Sequence, residues 1–133
     1  MKTVSKSNYA EVLEIACSVL DLSFKTIQEK YAGILPICIS KYIEKEEQDN
    51  IIEIRFDDAK TTLSCSFNEE NQCDASFLFF DDTNSIEHII SFMNSYYSYD
   101  FIRSRWILPE CYLAIKPTKT DIHIMIYNTN EMQ

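Results

Sequence analysis

Residues 52–79 read IEIRFDDAKTTLSCSFNEENQCDASFLF. Ile52, Ile54 and Phe56 alternate with polar neighbours, as do Leu63, Cys65 and Phe67, and then Cys73, Ala75, Phe77 and Phe79. A period of two places successive side chains on opposite faces of a strand, and β-branched and aromatic residues favour that state. The polar groups at 57–60 and 68–72 separate these runs. They lack the Asn-Gly pair of the tightest hairpins, so turns of about three to five residues are expected. Upstream, Ile37, Ile39 and Ile43 alternate before the polar run Glu46-Glu47-Gln48-Asp49-Asn50. The stretch predicts four strands in an antiparallel meander.

Outward from this meander the period changes. Tyr9, Leu13, Ala16, Leu20, Phe24, Ile27 and Tyr31 recur at intervals of three and four, the spacing of an amphipathic helix. Ser7 suits its N-cap, and Gly33 suits a left-handed residue ending it before Pro36. Asp21-Leu22-Ser23 marks a kink or a split, because Asp and Ser side chains compete for the backbone. After the meander, Asp82-Thr83-Asn84-Ser85 supplies capping residues, with Glu87 completing a capping box from Asn84. Ile86, Ile89, Ile90, Met93 and Tyr97 predict a second helix ending near Tyr99. Residues 101–108 are ambiguous between loop and strand. Cys111, Leu113 and Ile115, a turn at 116–119, then Ile122, Ile124 and Ile126 predict two further strands, followed by a polar, flexible tail over 128–133. The expected fold class is α+β: a two-layer domain in which an antiparallel sheet, in the order helix, four-strand meander, helix, two strands, carries its helices on one face.

A chain of 133 residues with 46% hydrophobic residues, 18 of them Ile, fits a single domain over 1–133 around one core. No run approaches the ~18 apolar residues that cross a bilayer, and the N-terminal stretch Met1-Lys2-Thr3-Val4-Ser5-Lys6 has no apolar signal segment, so a cytoplasmic protein without membrane contact is expected. The single glycine, Gly33, argues against phosphate-cradling loops and dinucleotide folds, which need several. No cofactor is expected.

Cys17, Cys38, Cys65, Cys73 and Cys111 share no C-x-x-C spacing, so a zinc site is not expected. They read as small buried hydrophobes in a reducing compartment, with a Cys65–Cys73 bridge across a hairpin as the exception to test. His88 and His123 are the only imidazoles, and no spacing joins either to a nucleophile and a third orienting group. Catalytic residues are therefore not assigned.

Charge is distributed unevenly. Residues 44–100 hold three basic and fourteen acidic residues, a balance of −11 within a total of −9, and 61–102 contain no Lys or Arg. In a meander the turn after the second strand and the exit of the fourth lie at one end of the sheet. Asp57 and Asp58 should therefore approach Asp81 and Asp82, at about 10 Å given a strand spacing of ~4.8 Å. Glu44, Glu46, Glu47 and Asp49 should approach Glu69 and Glu70 at the other end. These acids have three uses: solvated turns that protect sheet edges, a divalent-cation site, or a surface for a basic partner. A metal site is disfavoured because no D-x-D-x-D-G loop is present and adjacent Asp residues on a strand point to opposite faces. Direct nucleic-acid binding is disfavoured because phosphates demand Lys and Arg.

A second concentration is aromatic. Phe92, Tyr96, Tyr97, Tyr99, Phe101, Trp106 and Tyr112 fall within 21 residues, beside Arg103 and Arg105. Tyr, Trp and Arg dominate interface hot spots, while the same residues also serve as a helix end packed on a sheet. Tyr96, Tyr97 and Tyr99 cannot share one helix face, so at least one is expected at the surface.

Together these features point to a non-enzymatic acidic binding protein, an inhibitor or immunity-type protein that neutralises a basic, nucleic-acid-handling partner by imitating nucleic-acid charge. The expected contact set is Asp57, Asp58, Glu69, Glu70, Asp81, Asp82, Tyr96, Tyr99 and Trp106. Bacterial immunity proteins and phage inhibitors of nucleic-acid-handling enzymes share this size and charge, an analogy without a shared motif. The alternative is a client-binding module like the small acidic type III secretion chaperones, which a homodimer would favour; a small enzyme is the third class.

Overall fold

The computed structural model describes residues 6–33, 37–44, 47–117 and 122–128. Among them the chain forms α1 (Lys6–Ser18), α2 (Phe24–Tyr31), β1 (Ile37–Glu44), β2 (Glu47–Phe56), β3 (Thr61–Phe67), β4 (Cys73–Phe80), α3 (Thr83–Tyr96), β5 (Ser98–Asp100), β6 (Arg105–Ile107), β7 (Cys111–Pro117) and β8 (Ile122–Asn128). The strands make one antiparallel sheet in the order β1-β2-β3-β4-β8-β7-β6-β5. The class is α+β and the meander stands. The expected element order is corrected at two places: the first helix is two, and the ambiguous 101–108 stretch contributes β6, which pairs with the unforeseen β5. Residues 1–5, Pro36, Glu46, Thr118, Lys119 and the tail beyond Asn128 lie outside the described residues; Lys116 and Pro117, expected in a turn, belong to β7, and Asn128 itself belongs to β8.

The helix split falls where Asp and Ser offer the backbone other partners. Asp21 adopts a left-handed conformation, φ 68°. Its N–H donates to the Cys73 carbonyl at 2.7 Å, and the Cys73 N–H returns to the Leu22 carbonyl at 2.8 Å. The linker thus pairs with the start of β4, and the Ser23 hydroxyl accepts from the Thr26 N–H at 3.2 Å to open α2. Three expected ends differ. Ser7 lies inside α1, α2 closes at Ala32 without a left-handed Gly33, and Asp82 rather than Asn84 caps α3 by accepting from the Ser85 N–H at 2.8 Å. With Asp82 as the cap, the third helical position is Ser85, and Glu87 lies two residues too far along for a capping box. The helix then stops at Tyr96, where Tyr97 turns extended, φ −132° and ψ 152°.

One correction reverses a strand's faces. The period in β4 puts Cys73, Ala75, Phe77 and Phe79 on one side, yet past Ala75, itself buried, the buried residues are Ser76, Leu78 and Phe80, while Phe77 is half-buried and Phe79 exposed. Ser66 pairs with Ala75 but Phe67 pairs with Cys73, so an extra residue is inserted and the register shifts. A one-residue slip exchanges every later side chain between faces. Phe77 and Phe79 consequently flank His123 on the side away from the core, with ring centroids 5.6 and 5.1 Å from it. The buried Ser76 hydroxyl meets its requirement by donating to the Ala16 carbonyl of α1 at 2.9 Å. The inward residues Ile52, Ile54, Leu63, Leu78, Leu113, Ile124 and Ile126 join Leu13, Ile27, Ile89 and Met93 of the helices in one core.

The cysteines also depart from expectation. Cys17 of α1 and Cys111 of β7 form a disulfide, with Cα atoms 6.1 Å apart and a sequence separation of 94. Cys65 and Cys73 are free, buried thiols rather than a bridge. A hydrogen bond between them, and then burial, raises the Cys65 thiol above its ordinary range. The side chain of Cys38 lies outside the described residues.

Candidate functional site

The two acidic ends of the meander are not equivalent. At the first, Arg55 projects from β2 beside Thr62 of β3, its register partner. Its Nε donates to Asp57 at 3.0 Å, and its Nη1 donates both to the Thr62 hydroxyl at 3.0 Å and to Asp81 at 2.8 Å. Asp57 and Asp81 therefore converge as the topology requires, with one guanidinium between them. Lys60, left-handed at φ 51°, brings its ammonium within 3.8 Å of Asp82. Asp58 is exposed in the same turn. The acid excess there is partly neutralised from within, and Asp82 is committed to capping α3.

These contacts set a pH dependence. The hydrogen bond from Arg55 lowers the Asp81 carboxyl below its usual range, and the amide bond from Ser85 lowers Asp82. A carboxyl with a folded value below its unfolded value, ~3.9 for Asp, stabilises the fold above that pH and loses the contribution as pH falls through the depressed value. We predict that the urea midpoint falls between pH 5 and pH 2 and that Arg55→Met flattens this decline by removing the Asp81 share. An identical slope in wild type and Arg55→Met refutes the assignment.

At the second end, Glu69 and Glu70 are exposed in the β3–β4 turn. The Asn68 carboxamide oxygen accepts from the N–H groups of Glu70 at 2.9 Å and Gln72 at 3.1 Å, and Asn71 takes φ 63°. Both features let Asn close a turn without glycine. Glu44 and Glu47 face each other in register across the β1–β2 turn at this end. Described cations do not intervene at Glu69 or Glu70 as Arg55 does at Asp81.

The aromatic segment sorts itself by depth. Trp106 is only 4% exposed; its Nε1 donates to the Asn94 side-chain oxygen at 2.9 Å, and its ring lies 4.6 Å from that of Tyr99. Tyr99 is half-buried, while Tyr96 is exposed and leans on Phe92 with centroids 4.7 Å apart. Trp106 and Tyr99 therefore support the surface from beneath. Among the described residues the most exposed large apolar side chains are Phe101 and Ile102, 85% and 91% accessible at the tip of the β5–β6 hairpin. The tip is held in shape: the Asp100 carboxylate accepts from the N–H groups of Ile102 at 3.0 Å and Arg103 at 3.2 Å, and Ser104 takes φ 54°. Phe101 stacks edge-on against Tyr99, centroids 4.9 Å apart. The contact set expected from sequence omitted both tip residues. The signal was the Asp100 that precedes them, whose short side chain favours closing such a turn.

The histidines stay apart. His88 is exposed on α3, and His123 sits on β8 between two phenylalanine rings. Among the described residues no three His, Cys, Asp or Glu side chains gather as metal ligands, and no helix is long and apolar enough to cross a membrane. No protein-family model, curated protein or solved structure matches this chain.

Proposed function

We propose that this is a non-enzymatic binding protein that neutralises a basic protein partner, as inhibitors and immunity-type proteins do, using the Phe101–Ile102 tip as its anchor and the exposed acids of the meander for charge. The observation that carries this reading is the tip itself. Two large apolar side chains stand 85% and 91% exposed on a turn locked by Asp100, so little ordering entropy remains to be lost on binding. Burying each gains about 1.5–3 kcal/mol. Tyr96 adds an exposed aromatic ring, and Glu69 and Glu70 are exposed acids of the β3–β4 turn. Asp57, Asp58, Asp81 and Asp82 add field more than contact, because Arg55 and Lys60 already engage three of them. We read the domain as two layers with its helices on one face, which the shared core supports.

The test is affinity capture from a lysate of the source organism. The wild type should retain a basic protein, at a level that falls with salt. Phe101→Ser/Ile102→Ser should abolish retention and Glu69→Lys/Glu70→Lys should weaken it. Failure to recover a basic protein, or equal recovery by all three forms, refutes the reading. A cytoplasmic residence accompanies this proposal, whereas a disulfide favours an oxidising compartment. Alkylation of Cys17 and Cys111 in acid-quenched cells decides between them: free thiols support the cytoplasm, and a bridge opposes it.

A further inference from the structure

A cavity of about 480 Å³ lies between α1 and the turn that joins β6 to β7. Leu13 and Cys17 supply its wall on α1, Leu108 the wall on the turn, and Tyr97 the aromatic side just past the end of α3. Leu13 and Leu108 are buried, so this surface is apolar and fixed by the core. The Cys17–Cys111 bridge ties the two walls together, because Cys111 directly follows the turn and its carbonyl accepts from the Leu108 N–H at 3.0 Å. Two carboxylates complete the lining, Glu14 from α1 and Glu110 from the turn, with no Lys, Arg or His among the described lining residues. Burial raises the Tyr97 phenol above its usual range and the charge of Glu14 adds to this, so the phenol and that carboxylate sense each other.

The volume is that of a small-molecule site, which commonly measures ~300–1,000 Å³ and pairs apolar walls with a few polar groups that orient the ligand. Here the orienting groups are carboxylates, and Tyr97 adds an aromatic side chain to the apolar lining. An anion would meet two carboxylates with no compensating charge in the lining. A neutral apolar molecule would bury itself against the apolar walls but gain nothing from those exposed carboxylates, which would stay hydrated. We propose that this cavity binds a small organic cation with an apolar body, an alkyl- or arylammonium. None of the residues assigned to partner contact lines it, so the inference stands or falls apart from the basic-partner reading.

The experiment is a titration of the intact protein with phenethylammonium, followed by amide proton–nitrogen correlation spectra, with phenethyl alcohol and phenylacetate as neutral and anionic counterparts. The ammonium should give saturable shifts at residues 10–18, 97, 108 and 110, residue 109 being a proline without an amide proton. The alcohol should bind several-fold more weakly and phenylacetate should leave these signals unmoved. Glu14→Gln and Glu110→Gln change exposed side chains and should each weaken the ammonium by about two- to five-fold, the range for an exposed charge pair. Non-saturable shifts, shifts centred elsewhere, alcohol binding as tight as that of the ammonium, or full affinity in both glutamine variants would overturn the proposal.

Discussion

Removing the Cys17–Cys111 bridge is expected to lower the unfolding free energy by about 4–5 kcal/mol on the chain-entropy account, near the top of the ~2–5 kcal/mol seen when native disulfides are lost. The size follows from the 94-residue separation, since a longer loop takes more freedom from the unfolded chain. The bridge also fastens α1 to β7. Cys17→Ala/Cys111→Ala is the suitable variant: Cys111 is fully buried, and serine there would add a hydroxyl needing a partner. Urea unfolding followed by far-ultraviolet circular dichroism, with and without a phosphine reductant, measures the effect. The oxidised wild type should have the highest midpoint, with the reduced wild type and the double variant together below it. Unchanged midpoints after thiol titration has confirmed reduction would show that the bridge contributes nothing to the fold.

The second large effect is at Trp106. Trp106→Ala should cost about 3–5 kcal/mol, the range for deleting a buried aromatic ring. The ring contacts more than the core. Trp106 pairs in register with Tyr99 on one side and Leu113 on the other, so it joins the short strands β5 and β6 to the rest of the sheet. Its loss should loosen the hairpin that presents Phe101 and Ile102, and hydrogen exchange in residues 98–107 should rise beyond the global change. Trp106→Phe keeps most of the apolar volume and loses the bond to Asn94, which is exposed and can turn to water. It should cost about 1–2 kcal/mol, as expected for one hydrogen bond and some packing. Equal destabilisation by alanine and phenylalanine would place the weight on the Asn94 bond instead of the ring.

Legibility followed the range of the interaction responsible. Ile52, Ile54 and Phe56 alternate and are buried on β2, and Leu63 and Cys65 do the same on β3, because a strand's two faces see different surroundings along its whole length. The approach of Asp57 to Asp81 was legible for a related reason: a meander with short turns allows few alternatives. Arg55 between them was not anticipated, since its direction depends on how far β2 runs before turning. In β4, a single inserted residue near Ser66 and Phe67 was enough to turn Phe77 and Phe79 away from the core, and no feature of their own spacing announces it. The hairpin at 98–107 escaped because its strands are three residues each, too short to display a period.

Periodicity and polar punctuation, which are properties of neighbours along the chain, were sufficient to specify an α+β domain built on a four-strand meander and to concentrate its acids between residues 44 and 100. Pairing of Cys17 with Cys111, burial of Trp106 beneath an exposed Phe101 and Ile102, and a cavity walled by α1 and the β6–β7 turn came from the packed fold alone. Each joins segments distant in sequence or depends on depth below a surface. Such relations have no local free-energy signature in the chain; they arise when the helices close over the sheet and decide which side chains lose water.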